Sequence, residues 1–313
     1  MRRRIVWVIA AAALLVGVIG CGGEEDADTF TVDIPPTPKE VDITLDGYPG
    51  PENVGILMAQ QRGYFEKVGL DVWIRTPVSR LRPLPYVVER EVALSVSHQP
   101  QVVMAQEKGA PIEAFGSLIS EPTAALIWLE QAEVDDIADL KGKTIAITGL
   151  PFEESFLEAA LAQAGLGLGD VKVIRADYDL LPTLVKGRAD AIMGSWNIEG
   201  AELEARGLQP VVTRVEDLGI PPYDELVLIA RSERVDGEPG RIRSFMAALA
   251  RGTAAAVEDP EAAARLIARQ QGEKPGKALK AAVEATLPLL SESGSVSPDE
   301  ELVDWMREEG MLP

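Results

Sequence analysis

Residues 144–194 read TIAITGLPFEESFLEAALAQAGLGLGDVKVIRADYDLLPTLVKGRADAIMG, and five elements follow one another in them. Thr144–Thr148 is apolar and β-branched and predicts a strand. Glu153–Ala164 carries Phe156, Leu157, Ala160, Leu161 and Ala164 at helical spacing and stops at Gly165, a residue that accepts the left-handed turn after a helix. Val171–Ala176 predicts a strand, Leu180–Lys186 a helix and Ala189–Gly194 a third strand. Strands alternating with helices argue for a mostly parallel sheet with helices on its faces. Gly165-Leu-Gly-Leu-Gly169 resembles a dinucleotide loop, but it follows a helix, precedes a strand and lacks the spacing, so it reads as a stop and a turn.

The same alternation runs upstream. Strands are predicted at Val41–Leu45, Leu70–Ile74 and Val92–Val96, with helices over Asn53–Val68, Leu84–Arg90 and Pro100–Lys108. Ile112–Ile119 and Ala124–Leu129 are apolar and strand-like. Downstream, Ile198–Arg206 predicts a helix, Pro210–Arg214 and Glu225–Ala230 strands, and 240–309 helices alone. Two α/β series followed by a helical tail imply two lobes joined by crossing strands, Ala124–Leu129 outward and Glu225–Ala230 back. The expected division is 41–125 plus 230–313 for lobe 1 and 126–229 for lobe 2. In such sheets ligands bind beyond the carboxyl ends of the strands, which selects loops 46–53, 76–83, 97–101, 149–153, 177–181, 195–199 and 219–225.

The chain has 313 residues, a formal charge of −20, one cysteine and one histidine. That acidity argues against a nucleic-acid partner, which needs a basic face. One cysteine and one histidine exclude a disulfide framework, a cysteine-rich zinc site and any two-histidine metal motif. No nucleophile elbow or phosphate-binding loop occurs, so no cofactor, no metal and no catalytic activity are expected. Arg2, Arg3 and Arg4 precede an uncharged run, Ile5–Gly20, too short to span a bilayer and typical of a secretory signal. Val18-Ile19-Gly20-Cys21 resembles the bacterial lipobox, in which the cysteine is acylated and the chain is cut before it. Residues 1–20 are then a lipoprotein signal peptide and Cys21 a lipid anchor on the extracytoplasmic side of the membrane. Cleavage removes three positive charges and no negative one, leaving 293 residues and a charge of −23. Residues 21–40, rich in Gly, acid and Pro, predict a flexible tether.

Six segments carry a family resemblance: Leu45-Asp46-Gly47-Tyr48-Pro49 with Gly55 and Ala59; Arg62-Gly63-Tyr64-Phe65-Glu66 with Gly69-Leu70-Asp71-Val72; Val96-Ser97-His98-Gln99-Pro100; Asp139-Leu140-Lys141-Gly142-Lys143-Thr144; Gly194-Ser195-Trp196-Asn197-Ile198-Glu199; and Tyr223-Asp224-Glu225-Leu226-Val227-Leu228. Over about residues 41–230 the chain resembles substrate-binding proteins of ABC importers, in the branch that binds thiamine pyrimidine precursors. That branch is similar in fold to fungal enzymes that make the same pyrimidine. The resemblance implies the two-lobed periplasmic binding protein type II fold, a monomer, and partnership with an ABC permease and its ATPase. It also implies capture of a hydroxymethylpyrimidine or formylaminopyrimidine type of ligand.

A flat polar ring needs stacking faces and edge hydrogen bonds. Trp196, Tyr48 and Tyr223 stand in the expected cleft loops as stacking candidates. Asp46, Glu199 and Glu225 offer acceptors, and Asn53, Asn197 and His98 complete the edge contacts. Each has a structural alternative: packing for the aromatics, capping for Asp46 and Glu199, a hinge backbone bond for Glu225, a helix start for His98. Gly47 stands where the family often has tryptophan, and His98 where it often has tyrosine. Riboflavin, a sulfonate or another small nutrient are the competing ligands, with Arg80 and Arg82 keeping an anion open. A pyrimidine-precursor synthase is the competing class.

Overall fold

The computed structural model describes residues 38–292 and 294–313. Cys21, the signal segment and most of the expected tether lie outside the described residues. Ten strands form two five-stranded sheets within one compact unit. They are β1 (Lys39–Thr44), β2 (Leu70–Arg75), β3 (Leu94–Ser97), β4 (Ile112–Ile119), β5 (Ala124–Leu129), β6 (Thr144–Ile147), β7 (Lys172–Arg175), β8 (Ala191–Ser195), β9 (Pro210–Arg214) and β10 (Leu226–Arg231). The first sheet has the order β2-β1-β3-β10-β4 and the second β7-β6-β8-β5-β9.

Each sheet is mixed in the same way. In the first, β10 runs antiparallel to both neighbours, β3 and β4, while β1 pairs parallel with β2 and β3. In the second, β5 runs antiparallel to β8 and β9 around a parallel β7-β6-β8 core. The reversed strands are the two that arrive from the other sheet. The β4–β5 connection spans only residues 120–123, so β5 enters its sheet from the carboxyl edge of its neighbours and must run backwards. β10 returns in the same manner.

Local chemistry sets the element ends. The helix Glu153–Ala162 is followed by Gly165 at φ +69°, in a turn closed by Gly165 N–H donating to Ala162 O. The helix expected over Asn53–Val68 is shorter, Val54–Gln61; Gly63 at φ +64° breaks it, and Tyr64 N–H bonds back to Ala59 O. Helix Val54–Gln61 crosses helix Pro239–Glu258 at a close approach where Gly55 and Gly252 face one another. A methyl group on Gly252 would lie 2.1 Å from Gly55 O.

The first core gathers Ile43, Leu45, Ile56, Phe65, Leu228, Phe245 and Ile267. The second gathers Trp128, Ile145, Ile147, Phe156, Leu157 and Tyr223. Tail helices Pro239–Glu258 and Pro260–Gln270 belong to the first core. The last helix, Glu300–Glu308, departs from the expectation that the whole tail completes lobe 1: Leu302 and Met306 are buried in the second core. The chain thus passes a third time between the cores, through residues 291–299. An amphipathic period marks a buried face but not the sheet that buries it. Among the described residues no helix is long and apolar enough to cross a membrane.

Candidate functional site

The carboxyl ends of β1, β2 and β3 face those of β6 and β8 across a small chamber. Arg80 and His98 line it from the first sheet's side, Thr148, Phe152, Glu153, Ser195 and Glu199 from the second's, and Ala124 and Glu225 from the crossings. Phe156 and Met193 add apolar wall. An outer groove, lined by Asp46, Tyr48, Glu52, Asn53 and Tyr178, opens onto it and shares Arg80, Ser195 and Glu199.

Glu225 is the most heavily bonded group. Its Oε1 lies 2.9 Å from His98 Nδ1, and its Oε2 accepts from Thr123 N at 2.8 Å, Ala124 N at 3.2 Å and Tyr223 OH at 3.2 Å. Burial opposes ionisation of Glu225, yet His98 and the two backbone donors hold its carboxyl below the ordinary range. Burial likewise works against the His98 imidazolium, but the bond and charge of Glu225 outweigh it, so His98 titrates above its ordinary value. His98 ends β3 and opens helix Gln99–Glu107, with Pro100 in the first turn as its spacing suggests.

On the first-sheet side, Asp46 accepts from Asn53 Nδ2 at 2.7 Å and pairs with Arg80 Nη1 at 3.8 Å. Burial, with Asp46 and Glu225 nearby, pushes the Glu52 carboxyl well above its ordinary value, against the pull of Arg80. On the second side, Glu199 Oε2 accepts from Ser195 N at 2.8 Å. Glu153 accepts from Thr148 Oγ1 and from the backbone N–H groups of Gly149 and Leu150, tying the loop after β6; burial raises its carboxyl. Glu153, Glu199 and Glu225 thus face Arg80 and His98 around the chamber, and the groove adds carboxylates and, in Arg206 and Lys274, further cations.

The structure gathers Asp46, Asn53, His98, Glu199 and Glu225 about this space. Tyr48 lies at its outer rim, 60% exposed, with its ring 4.5 Å from that of Tyr178. The other three candidates take structural positions. Tyr223 is buried in the second core beneath Glu225. Asn197 is fully buried and donates to Thr286 Oγ1. Trp196 begins a wide π turn, Trp196–Gly200; its Nε1 donates to Pro122 O and Arg214 stacks 3.9 Å from its ring centroid. Arg82 pairs with Glu89 away from the chamber. Sequence reasoning did not single out Glu52, Phe152, Glu153, Phe156 and Tyr178 as site candidates. Glu52, Phe152, Glu153 and Tyr178 stand in loops selected for their place at strand ends, which was the available signal. Among the described residues no His, Cys, Asp or Glu cluster is placed to hold a metal ion.

Residues 50–263 match the family described as NMT1/THI5 like. The chain belongs to that family. A Haemophilus influenzae member named for thiamine biosynthesis is 30% identical over 280 residues, covering 88% of each chain. The formylaminopyrimidine-binding protein of Halalkalibacterium halodurans is 30% identical over 255 residues, 81% of this chain and 77% of that one. A 4-amino-5-hydroxymethyl-2-methylpyrimidine phosphate synthase of Schizosaccharomyces pombe is 28% identical over 220 residues, 67% of this chain and 63% of its own. Among solved structures, the alkanesulfonate-binding protein SsuA of Xanthomonas axonopodis pv. citri, bound to MOPS, is similar with a TM-score of 0.68 at 18% identity, over 88% of this chain and 95% of that one. That likeness is one of fold: this family member has the architecture of periplasmic binding proteins.

Proposed function

We propose that this protein captures a thiamine-related aminopyrimidine, of the formylaminopyrimidine or hydroxymethylpyrimidine type, between two lobes built on the two sheets. The observation that carries the reading is the chamber's chemistry: an apolar wall of Phe152 and Phe156 beside an excess of buried acceptors. A ring with amino and protonated nitrogen donors suits such a set, and an anion does not, because each carboxylate near the site repels it. This weighs against a sulfonate despite the shared fold. The name of the Halalkalibacterium relative supports the same class of ligand.

The rest of the reading follows from the sequence. Residues 1–20 are a signal peptide, Cys21 is acylated, residues 21–40 tether the body to the outer face of the cytoplasmic membrane, and the loaded form docks on an ABC permease powered by a separate ATPase. The protein acts as a carrier and not as the synthase some relatives are named for. Closure follows from the ligand's greater affinity for the closed form.

Calorimetric titration with formylaminopyrimidine, hydroxymethylpyrimidine, riboflavin and taurine tests the ligand. A pyrimidine is expected to bind with at least a hundredfold preference over taurine. Glu199→Gln should weaken it by about 10- to 100-fold, the worth of a hydrogen bond to a charged group. Binding of taurine alone would overturn the assignment.

A further inference from the structure

Glu225 occupies a position that ligand recognition alone does not require. It is the last residue before β10, so it terminates the returning crossing. Its Oε2 holds Thr123 N and Ala124 N, where the outgoing crossing enters β5. The same oxygen takes the hydroxyl of Tyr223, whose ring is packed in the second core. Its other oxygen meets His98, at the start of a helix leaving the first sheet. One buried carboxylate thus ties both crossings, the second core and the first sheet, and it lines the chamber. Its neighbour Asp224 holds the third passage: Asp224 accepts from Ser297 N at 2.9 Å and from Ser297 Oγ at 2.7 Å, while Asp224 N donates to Gln99.

We infer that Glu225, held by His98, is the positioning residue that couples filling of the chamber to movement of the two sheets about their crossings. This rests on the solute-binding reading above. A ligand that touches Glu225 or His98 alters the group on which both crossings are hung. Loss of the His98 charge turns one of the four contacts from a charge-assisted bond into an ordinary one and loosens the same knot without any ligand. The charged groups facing His98 are Glu225 at the start of β10, Asp46 after β1, Arg80 from the loop after β2 and Glu153 from the loop after β6. All but Arg80 favour its protonated form.

The chain contains one histidine, so a single imidazole resonance reports this site in the full chain. Proton NMR should give His98 a midpoint above that of a free histidine, and Glu225→Gln should bring it down. Small-angle scattering of the unliganded protein should show its radius of gyration rising as pH passes that midpoint, and His98→Asn should abolish the rise. Affinity for formylaminopyrimidine should fall about tenfold over the same range in the wild type and stay flat in His98→Asn, a coupling of ordinary size. A radius independent of pH in the wild type, or the same rise in His98→Asn, would overturn the inference. If formylaminopyrimidine binds at no pH, the ligand assignment fails, and the scattering result still decides the coupling. Should His98→Asn not fold, the scattering profile of Glu225→Gln, expected flat, takes its place.

Discussion

Arg80 is the perturbation that probes the site's charge balance most directly. Its guanidinium lies 3.8 Å from Asp46 and also lowers the titration of Glu52. At that separation, with an effective dielectric of about 20, the attraction to Asp46 is about 4 kcal/mol. Arg80→Met keeps the apolar stem and removes the charge. Part of the lost attraction is recovered because the cation no longer needs desolvation, and the side chain is 28% exposed. The net cost should therefore be about 2 to 3 kcal/mol at pH 8, somewhat below the figure for breaking a fully buried pair. The pH dependence has a definite sign. The folded Glu52 carboxyl titrates above its unfolded value, so its favourable contribution is complete below the ordinary carboxylate range and is lost as pH rises through the raised value. Without Arg80 that value rises further, so the penalty of the variant grows with pH and should be smaller at pH 5.5 than at pH 8. Urea unfolding followed by tryptophan fluorescence at both pH values measures it. A variant as stable as the wild type at pH 8, or a penalty that grows on acidification, would refute the proposed charge balance.

Three further outcomes follow from packing. Gly252→Ala places a methyl 2.1 Å from Gly55 O and 2.7 Å from Ala59 Cβ, so the helices must part, and thermal unfolding should show a loss of about 3 kcal/mol. Gly240→Ala in the same helix meets nothing closer than 4.0 Å and should be neutral or stabilising. Trp196→Phe removes the donor to Pro122 O and should cost about 1 kcal/mol, while Trp196→Ala also removes the stack with Arg214 and should cost about 3 kcal/mol in the same assay. Gly47→Ala makes only ordinary contact, its methyl standing 3.4 Å from Tyr178 and 3.6 Å from Arg80, whereas Gly47→Trp drives a ring into both side chains. Burial pushes the Tyr178 hydroxyl up to about 12; Gly47→Trp, by displacing that ring towards solvent, should return it towards its ordinary value of 10.0, read by phenolate absorbance.

Most strands and the loops at their carboxyl ends were legible, because the shift between a period of two and one of 3.6 survives in a single sequence. The placement of Asp46, His98 and Glu225 beside the chamber and groove was legible for the same reason: each stands within two residues of a strand end. Phe156 was not, since a residue on the apolar face of a helix reads as core whether or not it also borders a cavity. Trp196 shows the reverse problem. An aromatic in a cleft loop reads as a stacking surface, but Trp196 Nε1 donates to Pro122 O and Arg214 lies over its ring, contacts made through distant segments that no local pattern announces. The sheet that receives helix Glu300–Glu308 was hidden because partner choice is a long-range packing result.

The reversed strands explain why the chamber and the crossings coincide. A strand that leaves one sheet at its carboxyl edge and enters the next at once can only run against its new neighbours, as β5 and β10 do. Both crossings must then pass along the rim where strand ends also present side chains to a ligand. Backbone donors freed at those crossings need acceptors, since a buried unsatisfied N–H costs about 1 to 3 kcal/mol. Glu225 supplies one for Thr123 and Ala124 from inside the chamber wall. The carboxylate that satisfies the crossing is thus exposed by topology to whatever fills the chamber. Without that carboxylate those donors would be left unpaired.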